Sequence, residues 1–182
     1  MTEENLIKKC ASGNTLAQKT FYEKFAGKMM GVCLRYAQDY EEAQDVLQDA
    51  FIKIFGKLSV YEKKGSLEGW VRRIVVNTAL DSYRKNKKHQ QNVTVDSVDY
   101  MLEHKSFIIE ELNANDLIEI IKTLPDGYRM VFNLFAIEGY SHKEIAERLG
   151  VTESTSKSQF SRAKKLLRDI LLKKNIIEEG ER

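Results

Sequence analysis

The chain has 182 residues, of which 42% are hydrophobic and 31% are charged, a balance typical of a folded protein and not of a disordered one. Its 29 Lys and Arg residues nearly balance 27 Asp and Glu residues, so the net charge of +2 identifies no partner by itself. One proline, ten glycines and no apolar run approaching the roughly 18–20 residues that cross a bilayer predict a mainly helical protein without membrane insertion.

Helical periodicity is strong through residue 88. Asn14 can cap a helix that runs toward Gln38. Asp39 can cap the next helix, and Ser66 can cap a third after a loop at Ser59–Gly65. The first helix is predicted to bury Leu16, Phe21, Phe25, Met29, Val32 and Tyr36. The second is predicted to bury Leu47, Phe51, Ile54 and Leu58.

Residues 89–112 lose this periodicity and are predicted to form a flexible linker. Helical spacing resumes at about Asn115 and continues to residue 175. We therefore predict an all-α fold in which two small helical domains, 1–88 and 113–175, are joined by the linker and followed by a tail at 176–182.

Charge is unevenly distributed along these elements. Tyr36–Ala50 carries five acids and no Lys or Arg, whereas Lys63–Lys88 has eight basic residues and two acids. Lys143–Lys174 has nine basic residues against four acids. Two basic blocks on one chain suggest two polyanion-binding faces, although solvated helix faces would give the same pattern.

The strongest local motif lies in the second domain. Ser141 and Glu144 form a capping box, S-x-x-E, that begins a short helix. Gly150 can supply the left-handed turn after that helix, and Thr152 can cap the next one. This order of signals predicts a helix-turn-helix, whose second helix enters the DNA major groove. A plain helical hairpin with a basic exposed face is the alternative.

The groove-facing side of that second helix would carry short polar residues and an arginine, which are suited to contact base edges. Lysines beside them are placed to meet phosphates. The predicted base-contacting residues are Thr155, Ser158, Gln159 and Arg162, and the predicted phosphate-contacting residues include Lys157 and Lys165.

Two segments of the first domain carry a family resemblance. Asp45–Phe55, DVLQDAFIKIF, resembles the D-x-x-Q-(D/E)-x-F segment of sigma-70-type RNA polymerase sigma factors. Leu67–Lys85, LEGWVRRIVVNTALDSYRK, resembles the family pattern W-(L/V)-x-x-I-x-x-N-x-x-x-D-x-x-R-K. The first resemblance implies docking on core polymerase, and the second implies capture and opening of the −10 promoter element. The implied core-binding residues are Asp45, Gln48, Asp49, Phe51 and Phe55.

The loop at 59–66 corresponds to the part of the family that holds an unstacked base, for which Tyr61 is the candidate partner. Trp70 is predicted to lie in the core and not in DNA. The −10 residues that the resemblance implies are Tyr61, Lys63, Lys64, Arg73, Asn77, Arg84 and Lys85.

The second domain resembles the same family. Leu124–Phe132, LPDGYRMVF, is similar to its L-P-x-x-Y-R-x-V-F opening, and Ser154–Lys165 is similar to its −35 recognition helix. The chain departs from that pattern at Ser156, where valine is usual, and at Gln159, where arginine is usual. Because the chain has no room for further family domains, it is similar to the smallest class, the extracytoplasmic-function (ECF) sigma factors. An anti-sigma factor is then an expected partner.

No signal-peptide core, catalytic constellation or phosphate-binding loop is visible, so we expect a cytoplasmic protein without a cofactor or enzymatic activity. Cys10 and Cys33 lack a histidine cluster, which favours buried thiols over a zinc site or disulfide framework.

Two other functional classes stay open. A polymerase-independent helix-turn-helix regulator would bind palindromic duplex unaided. A protein-binding adaptor would show little salt-dependent DNA binding.

Overall fold

A computed structural model describes residues 2–91 and 114–173, and this part of the chain is helical with no β-strand. The all-α prediction is confirmed. The helices are α1 (Glu3–Ala11), α2 (Thr15–Tyr36), α3 (Tyr40–Lys57), α4 (Leu67–Gln91), α5 (Ala114–Lys122), α6 (Asp126–Phe132), α7 (His142–Leu149) and α8 (Glu153–Lys173), with a 3-10 turn at Leu58–Val60 and a π-helical turn at Asn133–Ile137.

The chain divides into two compact units, Met1–Lys87 and Lys88–Arg182. Helix α4 extends through Gln91, three residues into the predicted linker. The rest of the predicted linker, residues 92–112, and the predicted tail at 176–182 lie outside the described residues. The proposed domain limits of 88 and 113 therefore stay predictions.

Three helices of the first unit, α2, α3 and α4, begin at the predicted caps, whereas α1 was not predicted. Asn14 Oδ1 accepts the Ala17 backbone N–H at 2.9 Å, and Asp39 Oδ1 accepts that of Glu42 at 2.8 Å. Ser66 Oγ accepts the Gly69 N–H at 3.1 Å. Each cap satisfies a backbone donor that the first helical turn cannot pair, so the short polar residue determines where the helix begins.

The core of the first unit buries nearly all of the predicted apolar residues, including Phe21, Met29 and Ile54. Leu16 is the exception, because it is 73% exposed while Ala17 is buried. At about 100° per residue, Leu16 lies roughly 140° from Phe21 around α2, and Ala17 lies within about 40° of it. Ala17 therefore takes the inward position that was assigned to Leu16, and that assignment was wrong.

Both cysteines are free and buried, as predicted. Burial raises the pKa of the Cys33 thiol to about 12 and also raises that of Cys10. A thiol held in its neutral form is a poor nucleophile and metal ligand, so these two residues act as small apolar groups of the core.

In the second unit, α5 packs on α8 through Ile120, Leu124, Ala163 and Leu167. Tyr128, Phe132, Leu166, Ile170 and Leu171 pack against this cluster as partly buried side chains. Ile145 of α7 is fully buried. These contacts hold α8 along one side, which leaves its opposite side exposed for binding.

Candidate functional site

The acidic side of α3 forms the first candidate surface. Asp45, Gln48 and Asp49 are all exposed and lie on one side of the helix, at the spacing i, i+3 and i+4. Ile52 extends this side by one more turn and is 70% exposed. We name these four residues the α3 face. Ile52 was missed from sequence, although its position seven residues after Asp45 could have indicated it.

Phe51 and Phe55 do not belong to the α3 face. The ring of Phe51 is 3% exposed and packs 4.6 Å from the ring of Tyr22. Phe55 is half-buried, 5.8 Å from the ring of Phe21. The structure therefore corrects the expectation that Phe51 contacts a partner: its ring supports α3 from inside, because burial leaves it no surface to offer.

A cleft of about 490 Å³ lies between α3 and α4, beside the α3 face. Its acidic lining residues are Asp39, Glu41, Glu42, Asp45, Asp49 and Asp81. Only two lysines line it, Lys53 and Lys85. Within residues 2–91 and 114–173, no group of three or more His, Cys, Asp or Glu side chains could hold a metal ion. With six acids against two lysines, the cleft is an electronegative groove.

The loop before α4 is organised around Tyr61. Its hydroxyl donates to the Gly65 carbonyl at 3.0 Å, and its ring packs 5.2 Å from that of Trp70. Trp70 is half-buried, so the predicted core position is only partly correct. The lysines of the loop form ion pairs, Lys63 with Glu4 at 3.0 Å and Lys64 with Glu62 at 2.6 Å.

On α4, Arg73, Asn77 and Arg84 lie on one side, within about 40° of each other around the helix axis. Arg73 and Arg84 are exposed and Asn77 is half-buried. Asp81 holds the Arg84 guanidinium at 2.7 Å. Lys85 lies about 100° away from Arg84 and lines the acidic cleft, so the structure separates it from the other three.

The second unit contains the predicted helix-turn-helix. Ser141 Oγ accepts the Glu144 N–H at 3.3 Å, and Glu144 Oε2 accepts the Ser141 N–H at 2.8 Å, which completes the capping box. Gly150 has φ 67°, the left-handed conformation that ends α7. Thr152 Oγ1 then accepts the Thr155 N–H at 3.0 Å at the start of α8.

Residues predicted to face DNA lie along the N-terminal half of α8. Ser158, Arg162 and Lys165 are exposed. Thr155 is half-buried, and its hydroxyl is 2.8 Å from that of Thr152. Lys157 is exposed and pairs with Glu153 at 2.6 Å.

Gln159 and the neighbouring Arg162 both turn toward the start of α6. The amide Nε2 of Gln159 lies 3.0 Å from the point where a Cβ of Gly127 would be. The Arg162 guanidinium donates to the Tyr128 hydroxyl at 3.5 Å. Gln159 is half-buried, so the start of α6 contacts both of these side chains.

Ser156 lies on the buried side of α8, at the position where the resembled family pattern has valine. It is fully buried, with an exposed fraction of 0%. Its hydroxyl lies 3.0 Å from His142 Nδ1, and the His142 ring stacks on Phe135 at 4.2 Å. His142 therefore satisfies the polar group that replaces the valine, a partner that sequence reasoning missed because it lies 14 residues away, on the other helix of the motif.

Two buried polar residues of α6 and its π-helical turn, Arg129 and Asn133, also escaped sequence reasoning. The Arg129 guanidinium pairs with Asp126 at 2.9 Å. An Asp three residues before an Arg was the available signal.

In the described residues 2–91 and 114–173, no helix is long and apolar enough to span a membrane.

Comparisons with known proteins agree with this geometry. The Sigma-70 region 2 family model matches residues 21–89, and the Sigma-70, region 4 model matches residues 114–167. The first match contains the α3 face and most of α4, and the second contains the helix-turn-helix. The two matches therefore fall on the two candidate binding surfaces, one in each unit.

Curated relatives extend the match over nearly the whole chain. RNA polymerase sigma factor SigZ of Bacillus subtilis is 31% identical over 133 residues, which cover 73% of this chain and 74% of that protein. The ECF sigma factor SigW of the same species is 28% identical over 174 residues, covering 89% and 92%. RNA polymerase sigma-H factor of Pseudomonas aeruginosa is 25% identical over 177 residues, covering 91% of each chain.

Among solved structures, the sigma factor RpoE of Bartonella quintana, in complex with the anti-sigma factor NepR, has a similar fold. Its TM-score is 0.52 at 22% sequence identity, and the match covers 84% of this chain and 95% of that one. Both family regions match this one chain, region 2 before region 4, and the ECF relatives are of similar length. This chain belongs to the sigma-70 family of RNA polymerase sigma factors and to its extracytoplasmic-function group.

Proposed function

We propose that this sigma factor binds core RNA polymerase through the α3 face and directs it to promoters that carry −10 and −35 elements. The observation that carries the proposal is the separation of surfaces by unit. The first unit exposes Asp45, Gln48, Asp49 and Ile52 on α3, and the second exposes a basic helix of a helix-turn-helix. One molecule can therefore engage a protein and a DNA duplex at once.

At the α3 face, two carboxylates and an amide precede the exposed side chain of Ile52 along one side of the helix. A basic protein surface with an apolar patch at one end complements this arrangement, since charge gives orientation and the buried apolar group gives affinity. Phe51 and Phe55 contribute from beneath by keeping α3 rigid.

At the −10 element, Arg73, Asn77 and Arg84 form a polar row on α4 that can follow one DNA strand. Tyr61, supported by Trp70, offers a ring on which an unpaired base can stack. Lys63, Lys64 and Lys85 would exchange their present acidic contacts or surroundings for phosphates, a step favoured by counterion release.

At the −35 element, α8 would enter the major groove with Thr155, Ser158, Gln159 and Arg162 toward the bases. Lys157 and Lys165 lie beside them, where phosphate contacts fix the register of the helix. Gln159 in place of the family's arginine would favour adenine over guanine, because its amide pairs with both N6 and N7 of adenine.

The same two surfaces are the ones that an inhibitor must cover, so an anti-sigma factor is the second protein partner we propose. Sigma factors in general are not enzymes, and we propose that this chain has no catalytic activity of its own. It would work in the cytoplasm, where the polymerase supplies the chemistry and this protein supplies promoter selection and DNA opening.

Run-off transcription on genomic promoter fragments with core polymerase tests the proposal. We expect specific transcripts that require the protein and fall at least about tenfold with Asp45→Ala/Asp49→Ala, which corresponds to about 1.4 kcal/mol of lost binding. The matched control is Glu147→Ala/Asp169→Ala, which removes two exposed acids from the second unit. Absence of transcripts, combined with tight binding to palindromic duplex without polymerase, would instead establish an independent regulator.

A further inference from the structure

Glu42, near the start of α3, makes hydrogen bonds to two separate parts of the first unit. Its Oε2 accepts the backbone N–H of Gln38 at 2.8 Å. Its Oε1 accepts from the Ser82 hydroxyl at 3.1 Å and from the Asn86 amide at 2.8 Å, both on α4. One half-buried carboxylate thus fixes α3 to a helix some 40 residues later in the chain.

The two helices that Glu42 connects carry different functional residues. On α3, Asp45 of the α3 face lies three residues after Glu42. On α4, Arg84 lies between the two residues that donate to Glu42, Ser82 and Asn86. A change in the angle between the helices would therefore move the polar row of Arg73, Asn77 and Arg84 relative to the α3 face.

A second polar contact between these helices is weaker. Lys53 and Asp81 approach to 3.5 Å, but both side chains are well exposed. Exposed pairs at such distances contribute little, since water screens the charges. Asp81 also holds Arg84, so it is not dedicated to the contact with α3. Charge-assisted hydrogen bonds to a half-buried carboxylate are stronger and more directional.

We propose that Glu42 is a positioning residue that holds the C-terminal half of α4 in register with α3, and so couples docking on polymerase to opening of the −10 element. This inference rests on the proposed function. Glu42 lies in the cleft between the helices and outside the α3 face, so its effect on DNA opening passes through Ser82 and Asn86.

The test uses full-length protein in holoenzyme. Core affinity is measured by titration, and the opening rate by fluorescence of 2-aminopurine placed in the −10 element. For Glu42→Ala we expect core affinity within about twofold of wild type and opening slowed about fivefold or more, in the range typical of coupling residues. The matched control is Glu23→Ala, which removes an exposed acid of α2 that lies outside both the cleft and the α3 face and should leave both quantities unchanged.

Glu42→Gln removes the charge and the contact with the Gln38 N–H, because one acceptor oxygen becomes an NH2 donor, but it can keep the hydrogen bonds to α4. The amide oxygen can still accept from Ser82 and Asn86, so we expect opening to recover most of the wild-type rate. Equal slowing in Glu42→Gln and Glu42→Ala would contradict a role through these bonds.

Glu42→Ala also removes the hydrogen bond from the Gln38 N–H at the start of α3, so a double variant on α4 tests the other two hydrogen bonds alone. Ser82→Ala/Asn86→Ala leaves the first turn of α3 intact and should slow opening as much as Glu42→Ala. Combining all three substitutions should slow it no further, since they remove one shared interaction. The proposal is overturned if Glu42→Ala opens DNA like Glu23→Ala, if core affinity falls in parallel, or if the effects multiply. Failure of the wild-type protein to bind core would overturn the proposed function instead.

Discussion

Gly127 leaves space for the side chain of Gln159, which we propose contacts the −35 element. Its helical position has an ordinary backbone, and a Cβ there would lie 3.0 Å from Nε2 of Gln159. That amide is the flexible end of a side chain and can move, whereas the glycine costs helix stability. We expect Gly127→Ala to leave stability within about 1 kcal/mol of wild type, on the stabilising side.

The same substitution should change promoter preference, because the Gln159 amide must shift by a few tenths of an ångström away from the start of α6. Binding of holoenzyme to duplexes with single-base changes in the −35 element would measure this. The matched control is Gly69→Ala, whose nearest neighbour is Ser66 in the first unit. An unchanged −35 preference for Gly127→Ala would show that Gln159 does not read DNA from the conformation that Gly127 permits.

Ser156 is the second informative residue, since it is fully buried with its hydroxyl on His142. Ser156→Ala keeps the packing but removes the hydrogen bond, so we expect a loss of about 0.5–1.5 kcal/mol from the free energy of unfolding of the second unit. Urea denaturation followed by far-UV circular dichroism would measure the loss. Ser161→Ala, an exposed serine of the same helix, should change stability by less than about 0.5 kcal/mol.

At the scale of the element, the capping box of α7 makes the helix-turn-helix sensitive to acid. Hydrogen bonds from the Ser141 backbone N–H and hydroxyl hold the pKa of Glu144 below its usual value of 4.5. Folding therefore favours the carboxylate form. Its stabilising contribution is complete above about pH 5 and is lost as the pH falls through 4.5 and then through the lower folded value.

Glu144→Gln removes this dependence, because its amide oxygen can still cap Ser141 but does not titrate in this range. We expect the urea midpoints of wild type and variant to differ most at neutral pH and to converge at an acid pH below the lowered folded pKa of Glu144. Glu147→Gln, an exposed position on the same helix, is the control. A difference that stays constant between the two pH values would rule out the capping carboxylate as its source.

Features that depend on residues close in sequence, such as helix caps, could be predicted. Features that depend on packing between helices could not. Asn14, Asp39 and Ser141 were recognised as caps because each bonds a backbone N–H three residues later. The exposure of Ile52 was not predicted. Phe51 was assigned both to the buried side of α3 and to the core-binding residues, and only the packing of α2 against α3 decides between the two assignments.

The same limit applies to the candidate site. The family pattern indicated Arg84 and Lys85 together, yet a step of about 100° places them on different sides of α4. The contacts of Glu42 with Ser82 and Asn86 span about half of the first unit and leave no local pattern in the sequence. Long-range polar contacts of this kind become visible only once the helices are packed.

For the whole molecule, a net charge of +2 conceals a division of charge between surfaces. The cleft beside the α3 face is acidic, and the exposed side of α8 carries Arg162, Lys164, Lys165 and Arg168. Because polymerase and DNA demand opposite charges, one sign could not serve both surfaces. Placing each sign on its own surface would allow both partners to be bound without a large overall charge.

If the two units are also separate folding units, damage to one core should leave the other intact. Ile54 of the first unit and Ile145 of the second are each fully buried, so truncation to Ala should cost about 2–5 kcal/mol in either case. We expect scanning calorimetry to show two transitions, with Ile54→Ala lowering only one and Ile145→Ala only the other. Between the transition temperatures, Ile145→Ala should still bind core polymerase but lose its dependence on the −35 element. A single transition that falls with either substitution would show that the units fold together.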